Sequence, residues 1–159
     1  MASNHLSIVD PPAVGVASPR RVSYMARHDL FSSRFSSWWL NSVGAFPVKR
    51  DSADLSAVKQ AIRCVKGGRG LLLFPEGTRQ EPGKSDGEPE AGVGFLAAKL
   101  GVPVIPVWVK GTDQAWPKGA KFLKSARVTV RFGKQIPIER RMPYSDIAKT
   151  IMDEIRHLS

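Results

Sequence analysis

Four consecutive apolar residues, Leu71 to Phe74, constrain the fold more than any other stretch of this chain. They do not alternate with polar residues, so the segment suits a strand that is buried on both faces. A parallel sheet covered by helices provides that environment. A second apolar run, Val104 to Val109, predicts another buried strand, and Pro106 within it indicates a sheet edge or a bulge.

Helical and strand patterns alternate along the rest of the chain. Further strands are predicted at residues 21–26 and 128–132, and helices at residues 30–40, 52–66, 91–100 and from Ser145 onward. Ser52 and Ser145 would cap the second and the last of these helices. The apolar faces of these two helices are predicted to carry Leu55, Val58, Ile62 and Val65 in the former and Ile147, Ile151, Ile155 and Leu158 in the latter. This order of strands and helices predicts an α/β fold with a largely parallel, mixed sheet flanked by helices. We expect residues 1–159 to form a single domain, because that length suffices for one well-buried core.

The helix predicted at residues 30–40 has an apolar face that includes the adjacent pair Trp38 and Trp39. Such a face either packs on the core of the protein or contacts lipid. The sequence leaves both interpretations open.

The chain is strongly basic, with 24 Lys and Arg against 14 Asp and Glu and a net charge of +10. That surplus favours anionic partners, such as phospholipid headgroups, nucleic acid or phosphorylated metabolites, without choosing among them. No apolar run approaches the roughly 20 residues that cross a bilayer, so we expect any membrane contact to be peripheral. Cys64 is the only cysteine, which suits a reducing compartment.

The segment FPEGTR, at residues 74–79, directly follows the most apolar strand. Ligands of α/β sheets gather at the carboxyl ends of strands, and three residues here suit an anion. Gly77 would expose its backbone N–H, Thr78 offers a hydroxyl, and Arg79 offers a planar guanidinium. Glu76 would either hold Arg79 in place or accept a hydrogen bond from a substrate hydroxyl. The alternative interpretation is a surface turn with a solvated ion pair.

Two other stretches bear on anion binding. The basic turn GAFPVKR, at residues 44–50, ends in Arg50, which is either a second phosphate ligand or a surface charge. The stretch GTRQEPGKS, at residues 77–85, looks like a nucleotide-binding P-loop, but five residues separate its glycines where the motif has four. We therefore exclude a P-loop.

His5 and Asp10 lie five residues apart near the start of the chain. Neither a helix nor a strand would bring their side chains together at that spacing. However, Asp10 precedes two prolines, which favours a turn. A bend would let the carboxylate hold one imidazole nitrogen while the other nitrogen faces a substrate as a general base. A solvated histidine with no such partner is the alternative.

Four segments together are similar to the four sequence blocks of the glycerolipid acyltransferases. They are NHLSIVD (residues 4–10), GAFPVKR, FPEGTR and VPVIPV (residues 102–107). The chain most resembles the 1-acyl-glycerol-3-phosphate (lysophosphatidate) acyltransferases, over about residues 4–112. The resemblance implies the glycerol-3-phosphate acyltransferase-like α/β fold and the transfer of an acyl group from acyl-CoA or acyl-carrier protein to lysophosphatidate, giving phosphatidate.

The resemblance also implies roles for individual residues. His5 would be the general base, oriented by Asp10. The acceptor phosphate would be bound by Arg50, Glu76, Gly77, Thr78 and Arg79, and the acyl-donor region would include Val104, Ile105 and Pro106. No metal or prosthetic group is expected, and Ser7 is not expected to act as a nucleophile because the chain has no G-x-S-x-G elbow.

Family members usually have an apolar strand, often preceded by membrane-binding helices, before the Asn-His pair. Only three residues precede Asn4, so we expect the domain to lack one or both of these. The expected partners are a thioester donor, a lysophospholipid and a membrane surface on its cytoplasmic side, with no nucleic acid, and residues 113–125 would form a substrate wall. The alternatives are an acyltransferase for another lysolipid or glycerol-3-phosphate, or a non-catalytic relative that binds an anionic membrane or nucleic acid.

Overall fold

The computed structural model describes residues 1–48, 54–80, 88–139 and 141–159. The strands are β1 (Ala2–Ser3), β2 (Val22–Arg27), β3 (Ala45–Val48), β4 (Gly70–Leu72), β5 (Pro106–Lys110) and β6 (Thr129–Phe132). The helices are α1 (Asp10–Ala17), α2 (Arg34–Ser42), α3 (Leu55–Lys66), α4 (Ala91–Leu100), α5 (Thr112–Ala115) and α6 (Tyr144–Arg156), with a 3₁₀ turn at His28–Phe31. Among the described residues, no helix is both long enough and apolar enough to cross a bilayer.

The chain divides into two compact units. The first unit combines Met1–Ala17 with Leu73–Ser159, and the second is Ser18–Leu72. Three strand pairs are parallel, β1 with β5, β2 with β3 and β2 with β4, and the pair β5 with β6 is antiparallel. The predicted α/β class with a largely parallel, mixed arrangement of strands is therefore confirmed, whereas a single domain over residues 1–159 stays a prediction.

The sheet of the first unit has the order β1-β5-β6. Ala2 and Ser3, which the sequence did not identify as a strand, pair with Pro106 and Val107. Strand β5 begins at Pro106 and lies in the middle of its sheet, so the predicted edge or bulge is wrong. The first position of a strand tolerates a proline because the missing N–H is not needed there.

Helices α4 and α6 pack against each other over this sheet and form the core of the first unit. The predicted apolar face of the last helix is confirmed at Ile147, Ile151 and Ile155, which are buried. Gly94 permits the close packing, since a Cβ there would overlap the carbonyl of Tyr144. The predicted cap at Ser145 is wrong, because α6 begins at Tyr144, directly after Pro143.

The second unit contains the fully parallel sheet β3-β2-β4. Leu71 and Leu72 in β4 are buried, which confirms the strand predicted from the apolar run, although the strand ends at Leu72.

Helix α3 begins after Asp54, whose carboxylate caps its first turn, while the predicted cap Ser52 lies outside the described residues. Its buried positions are Ala57, Ala61 and Cys64. Leu55 is exposed, so the apolar stripe predicted from larger side chains is displaced toward small ones that permit close packing.

Helix α2 has no buried residue, so the interpretation of its aromatic face as a core contact is wrong. Phe35 is 74% exposed and Trp38 is 65% exposed. A capping box of Ser33 and Ser36 fixes the start of this helix, which therefore forms from local hydrogen bonds without burying its apolar face.

Candidate active site at the His5 turn

His5 and Asp10 meet in a tight turn that connects β1 to α1. The imidazole Nδ1 lies 2.8 Å from the Asp10 Oδ2. The bend predicted from Asp-Pro-Pro is confirmed, and helix α1 starts at Asp10 itself. Pro11 and Pro12 occupy the first helical turn, where their missing N–H groups break no hydrogen bond.

The Asp10 carboxylate is fully buried and accepts three hydrogen bonds at one oxygen. Besides the imidazole, the backbone N–H groups of Leu6 and Ser7 donate to Oδ2 at 2.6 and 2.7 Å. Three donors on one oxygen fix the carboxylate in place. Because a carboxylate accepts from Nδ1, the ring proton belongs on Nδ1, and Nε2 carries the lone pair.

The rest of His5 is held by the segment that follows β4. The imidazole stacks on Phe74 with ring centroids 4.1 Å apart, and its side chain is 16% exposed. The His5 N–H donates to Glu76 Oε2 at 2.7 Å, and the His5 carbonyl accepts from the Gln80 N–H at 2.8 Å. Within the described part of the chain no hydrogen bond uses Nε2, which leaves this nitrogen available to a substrate.

Asn4 attaches the turn to the sheet. Its side-chain amide donates to the Val109 carbonyl at 2.8 Å, and its Oδ1 accepts from the Val109 N–H at 2.7 Å. The amide thereby imitates one more residue of strand pairing after the short strand β1. This places His5 beside the carboxyl end of β5, a role that the sequence did not assign to Asn4.

Glu76 holds the backbone of His5 instead of the Arg79 guanidinium. Both residues are described, and no ion pair joins them, so of the two alternatives for Glu76 the one in which it holds Arg79 is wrong. Burial raises the pKa of Glu76 from 4.5 to about 7, and the nearby Asp10 carboxylate adds to the rise. The hydrogen bond from the His5 N–H acts in the opposite direction.

Two backbone N–H groups of the FPEGTR segment, those of Gly77 and Thr78, are used in hydrogen bonds within the segment. The Gly77 N–H donates to the Phe74 carbonyl at 3.0 Å, and the Thr78 N–H donates to the Glu76 carbonyl at 2.7 Å. The predicted outward N–H of Gly77 is therefore wrong. Gly77 is needed for its φ of +66°, a left-handed backbone conformation that other residues rarely adopt.

A cleft of about 160 Å³ lies next to the turn. Its walls include Leu6, Arg79, Asp113, Trp116, Pro117 and Lys118. The structure thus places two cations, Arg79 and Lys118, in one cleft with Leu6, which directly follows His5 in the sequence. Residues from the expected wall at 113–125 contribute to this cleft. The sequence analysis did not identify Lys118 as a site residue. The only feature that could have indicated it is its position in a basic stretch after Trp116.

Ser7 connects the turn to this wall. Its buried hydroxyl donates to the Trp116 carbonyl at 2.9 Å, and the Trp116 indole N–H donates to the Ala120 carbonyl at 2.9 Å. Since its proton is used in a structural hydrogen bond, the Ser7 hydroxyl is not aimed at His5, as expected from the missing nucleophile elbow.

The segment expected to bind the acyl donor precedes β5 and reaches only its first residue, Pro106. Val104 is bridged to Ile136, and the Ile105 carbonyl accepts from the Ala2 N–H. Pro106 opens the strand three residues before Val109, roughly 10 Å from it. The structure therefore does not bring Val104, Ile105 and Pro106 to the imidazole. Their donor role stays a prediction, and Arg50 lies outside the described residues.

Comparison with known proteins places these features in a family. The sequence model of the Acyltransferase family matches residues 1–110. The 1-acyl-sn-glycerol-3-phosphate acyltransferase of Streptococcus pneumoniae is 30% identical over 166 aligned residues, covering 99% of this chain and 59% of the relative. A chloroplastic 1-acyl-sn-glycerol-3-phosphate acyltransferase of Brassica napus is 29% identical, covering 98% of this chain and 43% of the relative.

A solved structure agrees in fold. The crystal structure of the 1-acyl-sn-glycerophosphate acyltransferase PlsC from Thermotoga maritima superposes with a TM-score of 0.69 at 23% identity, covering 99% of this chain and 64% of that one. The chain spans about half the length of the curated relatives named above. The residues matched by the family model include His5, Asp10 and the whole FPEGTR segment, and the chain belongs to the acyltransferase family.

Proposed function

We propose that this chain is an O-acyltransferase that moves a fatty acyl group from a thioester donor to the free hydroxyl of lysophosphatidate, giving phosphatidate. The observation that carries the proposal is the His5 imidazole, held at Nδ1 by a buried carboxylate and free at Nε2 within the described residues. The names of the relatives supply the acceptor, since they are 1-acyl-sn-glycerol-3-phosphate acyltransferases.

The imidazole would act as a general base. Nε2 takes the proton of the acceptor hydroxyl while the oxygen attacks the thioester carbonyl, typically a contribution of about 10²–10⁴ to the rate. The carbon–sulfur bond then breaks, an ester bond remains, and the imidazolium returns its proton to the departing thiolate. Asp10 keeps the ring in the required tautomer and stabilises the imidazolium.

A direct transfer fits the hydrogen bonds of the turn. The thioester is already activated, so the proposed mechanism needs no acyl-enzyme and uses no metal or prosthetic group. Ser7, two residues after His5, already donates its proton to the Trp116 carbonyl. The donor is acyl-CoA or acyl-carrier protein, both of which carry the same thioester.

The cations of the cleft would bind the phosphate of the acceptor. Arg79 offers two parallel N–H donors to phosphate oxygens, and Lys118 adds a second positive charge on the same cleft. Arg50 is proposed as a further ligand from the resemblance of its segment. Glu76 would contribute indirectly, by holding the backbone of His5.

The test is the variant His5→Ala, assayed for transfer of labelled acyl groups from acyl-CoA to lysophosphatidate. We expect turnover to fall by about 10²–10⁴ while the far-UV circular dichroism spectrum stays unchanged. His157→Ala is the matched control, because that imidazole is 75% exposed and lies at the end of α6. Unchanged turnover in His5→Ala would contradict the role of His5 as the general base.

Assays with different acceptors distinguish lysophosphatidate acylation from acyl transfer to another acceptor. Glycerol-3-phosphate and other lysolipids are assayed beside lysophosphatidate with the same donor, and the highest kcat/KM identifies the acceptor. A chain that binds duplex DNA tightly and transfers no acyl group to any acceptor would instead be a non-catalytic binder.

A further inference from the structure

The positive charge of the chain is concentrated in the residues that follow Asp113, one of the residues lining the cleft. Residues 114–138 contain no Asp or Glu. Their cations are Lys118, Lys121, Lys124, Arg127, Arg131 and Lys134. An uninterrupted basic segment of this kind attracts an anionic surface, and its position in the fold indicates which one.

Residues 117–124, here called the basic loop, form an ordered structure with an apolar tip. The Ala120 N–H donates to the Pro117 carbonyl at 3.0 Å, and the Lys124 N–H donates to the Ala115 carbonyl at 2.8 Å, which closes the loop. Between these anchor points, Phe122 is 80% exposed and Leu123 is 63% exposed. Two adjacent large apolar side chains therefore stand in water between two lysines.

The basic loop is continuous with the proposed active site. Pro117 and Lys118, at its start, line the same cleft as Arg79. Trp116, directly before it, accepts the hydrogen bond from Ser7 in the turn of His5. The apolar tip of the loop therefore follows the wall of the cleft within four to five residues of the chain.

The strand after the loop extends the positive surface. A second cavity, of about 410 Å³, is lined by Lys110, Arg127 and Arg131 together with Gly111, Gln114 and Thr129. No carboxylate is among these lining residues, so the lining carries three positive charges and no negative one.

We propose that the basic loop docks the protein on an anionic lipid bilayer. Phe122 and Leu123 insert among the headgroups, and Lys121 and Lys124 contact lipid phosphates. This inference rests on the proposed function, because it explains how a lysolipid would reach Arg79 from the bilayer in which it resides. A basic segment with an apolar tip suits a bilayer better than nucleic acid, since an aliphatic side chain such as Leu123 has no ring on which a base could stack.

Helix α2 is the competing surface for the same partner. Phe35 and Trp38 are as exposed as the tip of the basic loop, but Arg34 is the only cation within that helix. Helix α2 also belongs to the second unit, whereas the cleft residues belong to the first. The loop therefore combines apolar insertion, charge and continuity with the cleft, and α2 supplies a matched control.

The experiment measures co-sedimentation of the whole chain with vesicles of phosphatidylcholine alone or mixed with phosphatidylglycerol. We expect Phe122→Ser with Leu123→Ser to weaken binding to the mixed vesicles by at least about tenfold. Lys121→Gln with Lys124→Gln should weaken it by about 30-fold, roughly fivefold for each lysine, and wild type should bind phosphatidylcholine alone far more weakly. Phe35→Ser with Trp38→Ser should bind like wild type.

Three results would overturn the docking surface: loss of binding in the α2 variant but not in the loop variants, equal binding to both vesicle types, or no vesicle binding by wild type. A second measurement compares acyl transfer to long-chain lysophosphatidate in vesicles with transfer to a short-chain, water-soluble lysophosphatidate. The loop variants should lose about tenfold on the first acceptor and nothing on the second, whereas equal losses on both would contradict docking.

The two proposals fail separately. Vesicle binding that follows the expected pattern without any acyl transfer by wild type would overturn the proposed function and leave the docking surface in place. Acyl transfer that depends on His5 but not on the basic loop would do the reverse.

Discussion

The turn of His5 and the cationic wall of the cleft are built in opposite ways. In the turn, the Asp10 carboxylate is fully buried and accepts three hydrogen bonds, and the imidazole is stacked on Phe74 and mostly enclosed. On the wall, Arg79 and Lys118 are exposed, and the basic loop carries its apolar tip in water. One region is fixed by burial and hydrogen bonds, and the other consists of long side chains in solvent.

The difference follows from what each region has to do in the proposed reaction. A proton transfer requires the base to lie within hydrogen-bonding distance of the hydroxyl, so small displacements are costly. A charge that attracts phosphate acts over a longer range and tolerates a flexible stem. Substitutions in the turn should therefore have large effects on turnover or stability, and substitutions on the wall should have smaller effects on substrate affinity.

The largest effect is expected for Asp10→Asn. The amide removes the negative charge that orients the imidazole and stabilises the imidazolium, so we expect kcat to fall by roughly 10³–10⁴. The measurement is acyl transfer at saturating acceptor, with circular dichroism as the check on folding. Asp29→Asn, at a carboxylate that is 59% exposed and paired with Arg27, is the control. A kcat within a few-fold of wild type would break the contrast between the two regions.

Glu76→Gln should change how the stability of the protein depends on pH. The pKa of Glu76 is raised from 4.5 to about 7 by burial, so the folded state binds more protons than the unfolded state between these values. The free energy of unfolding of wild type should therefore fall as pH rises through that window. Gln keeps an acceptor for the His5 N–H without a titratable proton.

Chemical unfolding at pH 5 and pH 8 measures this effect. Wild type should lose up to about 3 kcal/mol relative to Glu76→Gln over that interval. Parallel pH profiles for the two proteins would show that the carboxyl titrates as an exposed group, which would weaken the description of the turn as a buried network.

The smallest effect is expected on the wall. Arg79→Ala should raise KM for lysophosphatidate by about tenfold, since one charge-assisted contact with the phosphate is lost, while kcat changes little. Arg69→Ala, at an exposed arginine of the second unit, should leave both constants unchanged. A loss in kcat as large as that of Asp10→Asn would place Arg79 in the chemical step and contradict the functional difference between the turn of His5 and the wall of the cleft.

Local patterns predicted well where neighbouring residues decide the structure. The run at Leu71 indicated a buried strand, the isoleucines of α6 indicated its buried face, and the prolines after Asp10 indicated the bend. Local patterns failed where packing decides, since they gave no way to tell that the aromatic face of α2 stays exposed. They also failed to show that small side chains form the buried face of α3.

The sequence by itself determined the α/β class and the presence of a cationic residue after the most apolar strand, and it favoured the bend that joins His5 to Asp10. Each of these follows from local patterns along the chain. Only the tertiary structure decided that Asn4 binds Val109, that Glu76 supports the backbone of His5, and that Ser7 binds Trp116. These pairs are separated by 105, 71 and 109 residues, respectively, so no local spacing encodes them. They form because packing of the core brings distant polar groups together, and a buried polar group is stabilised by a hydrogen-bond partner.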